Sequence, residues 1–194
     1  IIEGANLYLT PLARSELEKL GVLIIKDSSA NKGGVICSSF EVLTRLCLTD
    51  EEFLKEKKSL MPEILSLIGA RALSEAQLLL TTHADTGAPL SEISERVSSK
   101  INTFKYQLLD YLTTITLSHD PANPLIQCLI NYCPPLLRGK YRMRILEEIP
   151  DIHKKAIIAT HIAGRLVYSR GLEWSPTIVD ILPLLANDSD IFEE

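Results

Sequence analysis

The stretch that decides the fold lies near the start of the chain and reads Asp27-Ser28-Ser29-Ala30-Asn31-Lys32-Gly33-Gly34-Val35-Ile36-Cys37-Ser38-Ser39-Phe40-Glu41. It follows the short apolar run 22–26, which predicts a strand buried on both faces. Small polar residues and two glycines between a buried strand and a helix let a ligand approach the backbone without a Cβ in the way. The segment therefore predicts a ligand-binding turn at the carboxyl end of a strand.

The first residues of the chain repeat this arrangement. Ile1-Ile2 leads into the turn 3–6, and Thr10-Pro11 opens a helix, because Thr is a good N-cap and Pro fits the first helical position. Strand, turn and helix twice in succession predict a right-handed βαβα unit with both turns at one sheet edge. Asn6 and Asn31 are therefore expected to face one crevice.

Beyond residue 48 the pattern becomes helical. Thr49 predicts an N-cap, and Pro62 is expected to separate two helices, the second of which covers 63–81. Apolar residues at steps of three and four predict a long amphipathic helix over 93–115 that packs against the helix 63–81. Further helices are predicted over 125–132, 136–148 and 151–169. The predicted fold class is mainly α with a small α/β portion: a partial Rossmann-like βαβα remnant followed by a helical bundle.

Composition excludes several classes of function. The 194 residues are 46% hydrophobic and carry a net charge of −5, and this acidic balance predicts no nucleic-acid partner. No uninterrupted apolar run reaches about 18 residues, so no membrane partner is predicted. Neither the cysteines nor the histidines follow a metal-ligand spacing, and no metal site is predicted. The cysteines are expected to be free thiols in a reducing, cytoplasmic location; they stand at positions 37, 47, 128 and 133.

Two ordered motifs resemble those of the glutamate dehydrogenases. The first is 3–6 followed by 10–13, and the second, about 25 residues later, is 31–35 followed by Ser38. Lys32 in the second motif makes it more similar to the large NAD-specific members of that family. The resemblance implies that this chain is a carboxyl-terminal fragment, with residues 1–48 as the carboxyl-terminal part of the NAD-binding domain and 49–194 as a helical C-terminal domain.

The resemblance also implies roles for individual residues. Asn6 and Asn31 would contact the nicotinamide–ribose end of NAD, and Gly33 and Gly34 would let the cofactor come close to the backbone. Ser38 would help to hold a substrate carboxylate. These side chains suit such roles, since an amide offers a donor and an acceptor and a hydroxyl can donate to an anion. The alternative is local: both asparagines would satisfy backbone groups of their own turns, and the glycines would form a left-handed connection.

The activity implied by the resemblance is the NAD-dependent oxidative deamination of L-glutamate to 2-oxoglutarate and ammonia. The family's substrate-activating lysine and acid/base aspartate are expected upstream of this chain, so no catalytic residue is assigned and the fragment alone is expected to be inactive. Its expected partners are glutamate or 2-oxoglutarate, the remainder of the same polypeptide and further copies in a homo-oligomer. Two alternatives stay open: a helical interaction or regulatory module, or another NAD-dependent amino-acid dehydrogenase.

Overall fold

The computed structural model describes residues 1–177 and 179–181, and most of these residues are helical. In chain order the helices are α1 Pro11–Lys19, α2 Asp27–Ala30, α3 Lys32–Cys47, α4 Asp50–Thr86, α5 Leu90–Thr113, α6 Pro124–Tyr132, α7 Pro135–Lys140, α8 Arg142–Glu147 and α9 Asp151–Arg170. The predicted helices after Thr10 and over 93–115, 125–132 and 151–169 are confirmed, since α1, α5, α6 and α9 cover nearly the same residues.

The predicted βαβα remnant is wrong. Within the described residues the extended segments meet only at an isolated parallel bridge between Ile2 and Ile25. The amide of Glu3 donates to the carbonyl of Ile25 at 3.0 Å, and that of Ile25 donates to the carbonyl of Ile1 at 2.9 Å. The chain then turns directly into α2, so no strand forms. Two short extended segments are marginal without further strands beside them, and the fold class of the described residues is all-α.

The centre of the core lies between α5 and α9. Helix α5 packs mainly against α9 and to a smaller extent against α4, so the predicted partner is only the lesser of the two. On α9, Ala159 and Ala163 are fully buried, and such small residues let two helices approach closely. Leu108 and Leu112 supply the large side chains on α5, with 1% of each exposed.

Helix α4 runs without a break through Pro62, where the sequence pattern predicted a boundary. Proline removes one backbone hydrogen bond, whose acceptor would be the carbonyl of Lys58. Lys58 is an exposed residue, which gives that carbonyl access to water. Leu60 and Ile64 flank the proline and are both buried, so packing on either side keeps the helix in place.

The second half of α4 reverses the usual distribution of charge. Arg71 lies over two aromatic rings of the core and Glu75 is only 3% exposed, so both charged side chains point inward. Leu65, Leu73 and Leu80 point outward, with 61%, 59% and 48% of their surface exposed. Three leucines on the outside of a helix that buries its charges form an apolar outer face, which we call the α4 outer face.

Length and composition would allow α4 to cross a membrane. Among the described helices only α4 meets that criterion, with a mean hydropathy of 1.3 over an 18-residue window. Only 17% of this window is buried. The expectation of no membrane partner was based on uninterrupted apolar runs. That test is stricter than the 18-residue window, which tolerates two charged residues. The absence of a membrane partner therefore stays a prediction.

The segment predicted as one helix over 136–148 is two helices. Tyr141 separates α7 from α8 with φ −115° and ψ 22°, outside the helical range. Its ring is 9% exposed, and its hydroxyl donates to Glu56 Oε1 at 3.3 Å. The break thus directs an aromatic residue into the core.

The core also includes Phe40 and Leu43 of α3, so residues before and after position 48 share one buried cluster. The division into 1–48 and 49–194 stays a prediction.

Candidate functional site at the Asn6 and Asn31 turns

The two turns that carry the predicted cofactor residues touch each other. The side-chain amide of Asn31 donates to Oδ1 of Asn6, although 25 positions separate the two residues. Asn6 is exposed and Asn31 is half-buried, so the pair lies at an accessible edge. The expected proximity of the two asparagines is confirmed, while a shared crevice stays a prediction. We call this edge, formed by Asn6, Asn31, Gly34 and Ser38, the asparagine rim.

A buried carboxylate joins the two turns beneath the rim. Glu3 is 2% exposed and accepts from Arg14 Nε at 3.0 Å and from Arg14 Nη2 at 3.1 Å. It also accepts from the amides of Leu9 at 3.2 Å and Asp27 at 3.3 Å. A buried ion pair is costly unless its remaining hydrogen-bonding capacity is used, and here four donors satisfy one carboxylate. Sequence reasoning missed Glu3 and Arg14; their opposite charges eleven residues apart were the available signal.

Asp27 holds the first turn in an unusual backbone conformation. Its Oδ2 accepts from the amide of Leu7 at 2.8 Å, and its Oδ1 accepts from the amide of Ser28 at 2.8 Å. Leu7 has φ 55°, the only positive value among the described non-glycine residues. A left-handed conformation costs an ordinary residue about 1–2 kcal/mol. The hydrogen bond from Leu7 is the main cause that lowers the pKa of Asp27, so the carboxylate stays charged and keeps this turn closed.

The two glycines of the second turn have different surroundings. Both lie in the first turn of α3, and positive φ values occur instead at Gly21, Gly87 and Gly171. A left-handed connection at Gly33 and Gly34 is therefore excluded. A Cβ on Gly33 would lie 3.4 Å from Ile68 Cγ2 of α4, whereas one on Gly34 would meet nothing within 4 Å. Gly33 thus lies beside α4, and Gly34 faces the open side.

Ser38 lies on the same face of α3 as Asn31. Residues 31, 35, 38 and 42 follow helical spacing, and Val35 and Val42 are 69% and 55% exposed. Seven residues of helix span about 10 Å, the separation expected between Asn31 and Ser38. Ser38 is exposed and its hydroxyl has no hydrogen-bond partner among the described residues. The predicted substrate residue and one predicted cofactor residue therefore share an open, partly apolar surface.

A second buried carboxylate supports the turn from the opposite side. Glu75 of α4 accepts with Oε2 from the ammonium of Lys32, the first residue of α3. The hydroxyl of Tyr168 on α9 donates to the same oxygen at 2.7 Å. Sequence reasoning missed this group as well. The available signal was a carboxylate in the middle of an apolar helical pattern.

Arg71, one turn before Glu75 on α4, lies over two aromatic rings of the core. The guanidinium of Arg71 lies 4.9 Å from the ring centre of Phe40 and 4.5 Å from that of Tyr132. The ring of His161 meets Tyr132 edge to face at 5.6 Å, and its Nε2 is buried without a hydrogen bond to any residue that the structure describes. Burial, assisted by the positive charges of Arg71 and Arg165, lowers the pKa of His161 to about 3. The imidazole is therefore neutral at physiological pH.

The asparagine rim does not line either of two open depressions on the described residues. The larger of two open depressions, about 460 Å³ in volume, is lined by 170, 174–176 and 180, and the smaller by 41, 42, 45 and 46. Neither includes Asn6, Asn31, Gly34 or Ser38. Over residues 1–177 and 179–181, no three His, Cys, Asp or Glu side chains gather where they could hold a metal ion. None of the cysteines in this part of the chain forms a disulfide, and three of them are buried.

Comparison with known proteins identifies relatives of this chain. Residues 1–89 match the model of the glutamate/leucine/phenylalanine/valine dehydrogenase family. The chain is 37% identical over 185 residues to glutamate dehydrogenase 2 of Dictyostelium discoideum, with 89% of this chain and 17% of that protein covered. It is 32% identical over 193 residues to the NAD-specific glutamate dehydrogenase of Saccharomyces cerevisiae, with 89% and 17% covered.

A third relative extends the same pattern. The probable NAD-specific glutamate dehydrogenase of Schizosaccharomyces pombe is 31% identical over 189 residues, with 91% of this chain and 17% of the relative covered. No solved structure matches the chain significantly. The chain thus spans about one sixth of the length of these relatives, as a segment of them. The resemblance seen in the two motifs is confirmed, while the carboxyl-terminal position of the segment stays a prediction.

Proposed function

We infer that this chain, homologous over most of its length to one segment of the glutamate dehydrogenases, is part of an enzyme that oxidatively deaminates L-glutamate to 2-oxoglutarate and ammonia with NAD. The contact between Asn31 and Asn6 is the structural observation that carries this proposal for the present residues. It brings the two family motifs together at an accessible edge, where a cofactor bound by the rest of the polypeptide can reach both.

The asparagine rim has the chemistry to hold the nicotinamide end of NAD. We propose that Asn6 and Asn31 donate to and accept from the carboxamide and the ribose hydroxyls. Gly34, with open space where a Cβ would stand, lets the cofactor lie against the backbone at the start of α3. When bound, NAD supplies the hydride acceptor of the reaction. The rim orients that group, and Glu3 and Asp27 keep the two turns in place beneath it.

Ser38 is proposed to hold a carboxylate of glutamate. Its hydroxyl is exposed on the face that carries Asn31, and it has no partner among the described residues. Val35 and Val42 beside it offer apolar surface for the methylene groups of the substrate. We propose no catalytic residue within this chain: the lysine that activates the substrate and the aspartate that moves protons belong to the remainder of the polypeptide. The chain alone is accordingly proposed to be inactive.

The test compares single substitutions in the whole protein. Asn31→Ala and Ser38→Ala are each expected to lower kcat/KM for glutamate by roughly 30-fold, which corresponds to about 2 kcal/mol of transition-state stabilisation. Ser39→Ala is the matched control, because Ser39 is also exposed on α3 but donates to the carbonyl of Val35 at 3.1 Å. A change below about twofold is expected there. Unchanged kinetics in all three variants would favour the alternative that the turns are structural parts of an interaction module.

One observation favours an alternative function, that of a dehydrogenase for an amino acid other than glutamate. The matching family model covers leucine, phenylalanine and valine dehydrogenases as well as glutamate dehydrogenases. A hydroxyl at Ser38 favours glutamate, because a site that hydrogen-bonds a substrate group rejects analogues that lack it. Activity with leucine or valine that exceeds activity with glutamate would contradict glutamate as the substrate.

We further propose a cytoplasmic location, which fractionation of the source cells would test.

We also propose that residues 49–194 form a helical domain that contacts other subunits in a homo-oligomer, and that residues 1–48 complete an NAD-binding domain. The α4 outer face supports the first part, since three exposed leucines on a helix without outward charges in that region suit a protein interface. Leu73→Glu is expected to lower the oligomer mass measured by sedimentation. Leu54→Glu is the control, since Leu54 is 70% exposed on the charged first half of the same helix. Equal masses for both variants would contradict a role of this face in assembly.

A further inference from the structure

We propose that Glu75 is a positioning residue whose carboxylate ties the turn 31–34 to helix α9. The glutamate dehydrogenase activity proposed above is the premise, and Glu75 itself touches neither substrate nor cofactor. Its role is to set the place of Asn31 and Gly34, through Lys32, from within the helical body.

The contacts of Glu75 connect three helices at one oxygen. Oε2 accepts from the ammonium of Lys32 on α3 and from the hydroxyl of Tyr168 on α9. The Glu75 side chain is 4% exposed and that of Lys32 is 27% exposed. Lys32 lies between Asn31 and Gly33, so its backbone is part of the turn. A shift of α9 or of the second half of α4 therefore acts directly on the turn.

Helix α4 contacts the turn at a second point. Ile68 lies seven residues, or about two turns, before Glu75, and its Cγ2 would lie 3.4 Å from a Cβ on Gly33. The turn thus lies beside α4 at Gly33 and is joined to α4 by an ion pair at Lys32. The two points together relate the start of α3 to one face of α4.

Stability alone does not account for this arrangement. Oε1 of Glu75 is buried and has no hydrogen-bond partner among the described residues, although a buried carboxylate oxygen is expected to have one. Both donors converge on the other oxygen. Burial and the negative charge of Glu75 raise the pKa of Tyr168, so its hydroxyl stays protonated and can donate. We infer that this half-satisfied buried charge serves to hold Lys32 and Tyr168 in place rather than to stabilise the fold.

The same helix carries a chemically matched group that does not touch the turn. Glu56 of α4 is 8% exposed, and its Oε1 accepts from the ammonium of Lys140 and, at 3.3 Å, from the hydroxyl of Tyr141. Each group thus has one glutamate, one lysine and one tyrosine. Of these two groups, the one at Glu75 includes a residue of the turn 31–34, and the one at Glu56 does not. Substitutions at Glu56 therefore measure the effect of losing such a hydrogen-bond network on the fold alone.

The experiment uses the whole enzyme with glutamate and NAD. Glu75→Gln and Tyr168→Phe are expected to lower kcat/KM by roughly tenfold and threefold, while Glu56→Gln and Tyr141→Phe change it by less than about twofold. The primary isotope effect with glutamate deuterated at C2 is expected to rise in Glu75→Gln, because misplaced reactants make hydride transfer more strongly rate-limiting. A purely structural role would leave this isotope effect unchanged.

A double-mutant cycle completes the test. Glu75→Gln combined with Asn31→Ala is expected to be clearly non-additive in kcat/KM, whereas Glu56→Gln with Asn31→Ala is expected to be additive. Additive effects at both sites, or equal kinetics for Glu75→Gln and Glu56→Gln, would overturn the role of Glu75. If instead the unmodified enzyme does not oxidise glutamate with NAD, the proposed function itself fails, and this outcome is distinct from failure of the positioning role.

Discussion

Acidification is expected to destabilise this chain through one histidine. Burial beside Tyr132, assisted by the charges of Arg71 and Arg165, lowers the pKa of His161 from 6.5 to about 3. As the pH falls below 6.5 the unfolded chain takes up a proton at this position and the folded chain does not. The unfolded state is thereby favoured, so the free energy of unfolding decreases as the pH falls from 6.5 towards 3 and is fully retained above 6.5.

The size of the effect follows from the width of this window. One proton that binds only to the unfolded state changes the free energy of unfolding by about 1.4 kcal/mol per pH unit. Between pH 6.5 and 4.5 the loss is therefore up to about 3 kcal/mol. The ring of His161 is half-buried, so some solvation of the charged form brings the loss below this upper bound.

Urea unfolding between pH 7.5 and 4.5, followed by the fluorescence of the single tryptophan Trp174, measures this loss. His161→Phe keeps a ring against Tyr132 without a titrating group, so the slope of the free energy with pH is expected to fall clearly. His153→Gln is the control, since His153 is exposed on the same helix, and it is expected to keep the unmodified slope. Equal slopes for the unmodified chain and His161→Phe would refute the reasoning, as would a midpoint near 6.5 for His161 in a nuclear magnetic resonance titration of the folded chain.

Other substitutions and labels test the fold directly. Burial raises the pKa of Cys47 to about 11 and also raises that of Cys133, so neither thiol is expected to react with iodoacetamide at pH 8 until urea unfolds the chain. Gly69→Ala, in the middle of α4 with open space around its Cβ, is expected to raise the free energy of unfolding by about 0.5–1 kcal/mol. Gly87→Ala, at φ 69°, is expected to lower it by about 1 kcal/mol in the same urea titration. Leu129→Ala, at a fully buried position, is expected to lower it by about 2–5 kcal/mol.

Local signals in the sequence were sufficient for several helices. Thr10 accepts from the amide of Ala13 at 3.2 Å as an N-cap, and Thr49 forms a capping box with Glu52. Gly87 ends α4 in the left-handed conformation. Each of these features depends on residues within one turn of a helix end, so a reading of neighbouring residues could find them.

Longer-range features were beyond such a reading. Pro62 predicts a break by its own chemistry, yet the burial of Leu60 and Ile64 keeps α4 continuous. Tyr141 has no strong breaking tendency, yet it leaves the helix so that its ring can be buried. In both cases tertiary packing outweighs a local preference of similar or smaller size.

The sequence by itself indicated the resemblance to glutamate dehydrogenases, the capped helices and the residues 6, 31 and 38 as candidates, because motifs and caps are read from residues close together in the chain. Only the tertiary structure decided that residues 2 and 25 form one bridge instead of a sheet, that α5 packs on α9, and that Glu3 and Glu75 hold the two turns. The sequence shows these carboxylates but not their partners. Those partners lie 6 to 93 positions away, and only folding makes a buried charge and its donors neighbours.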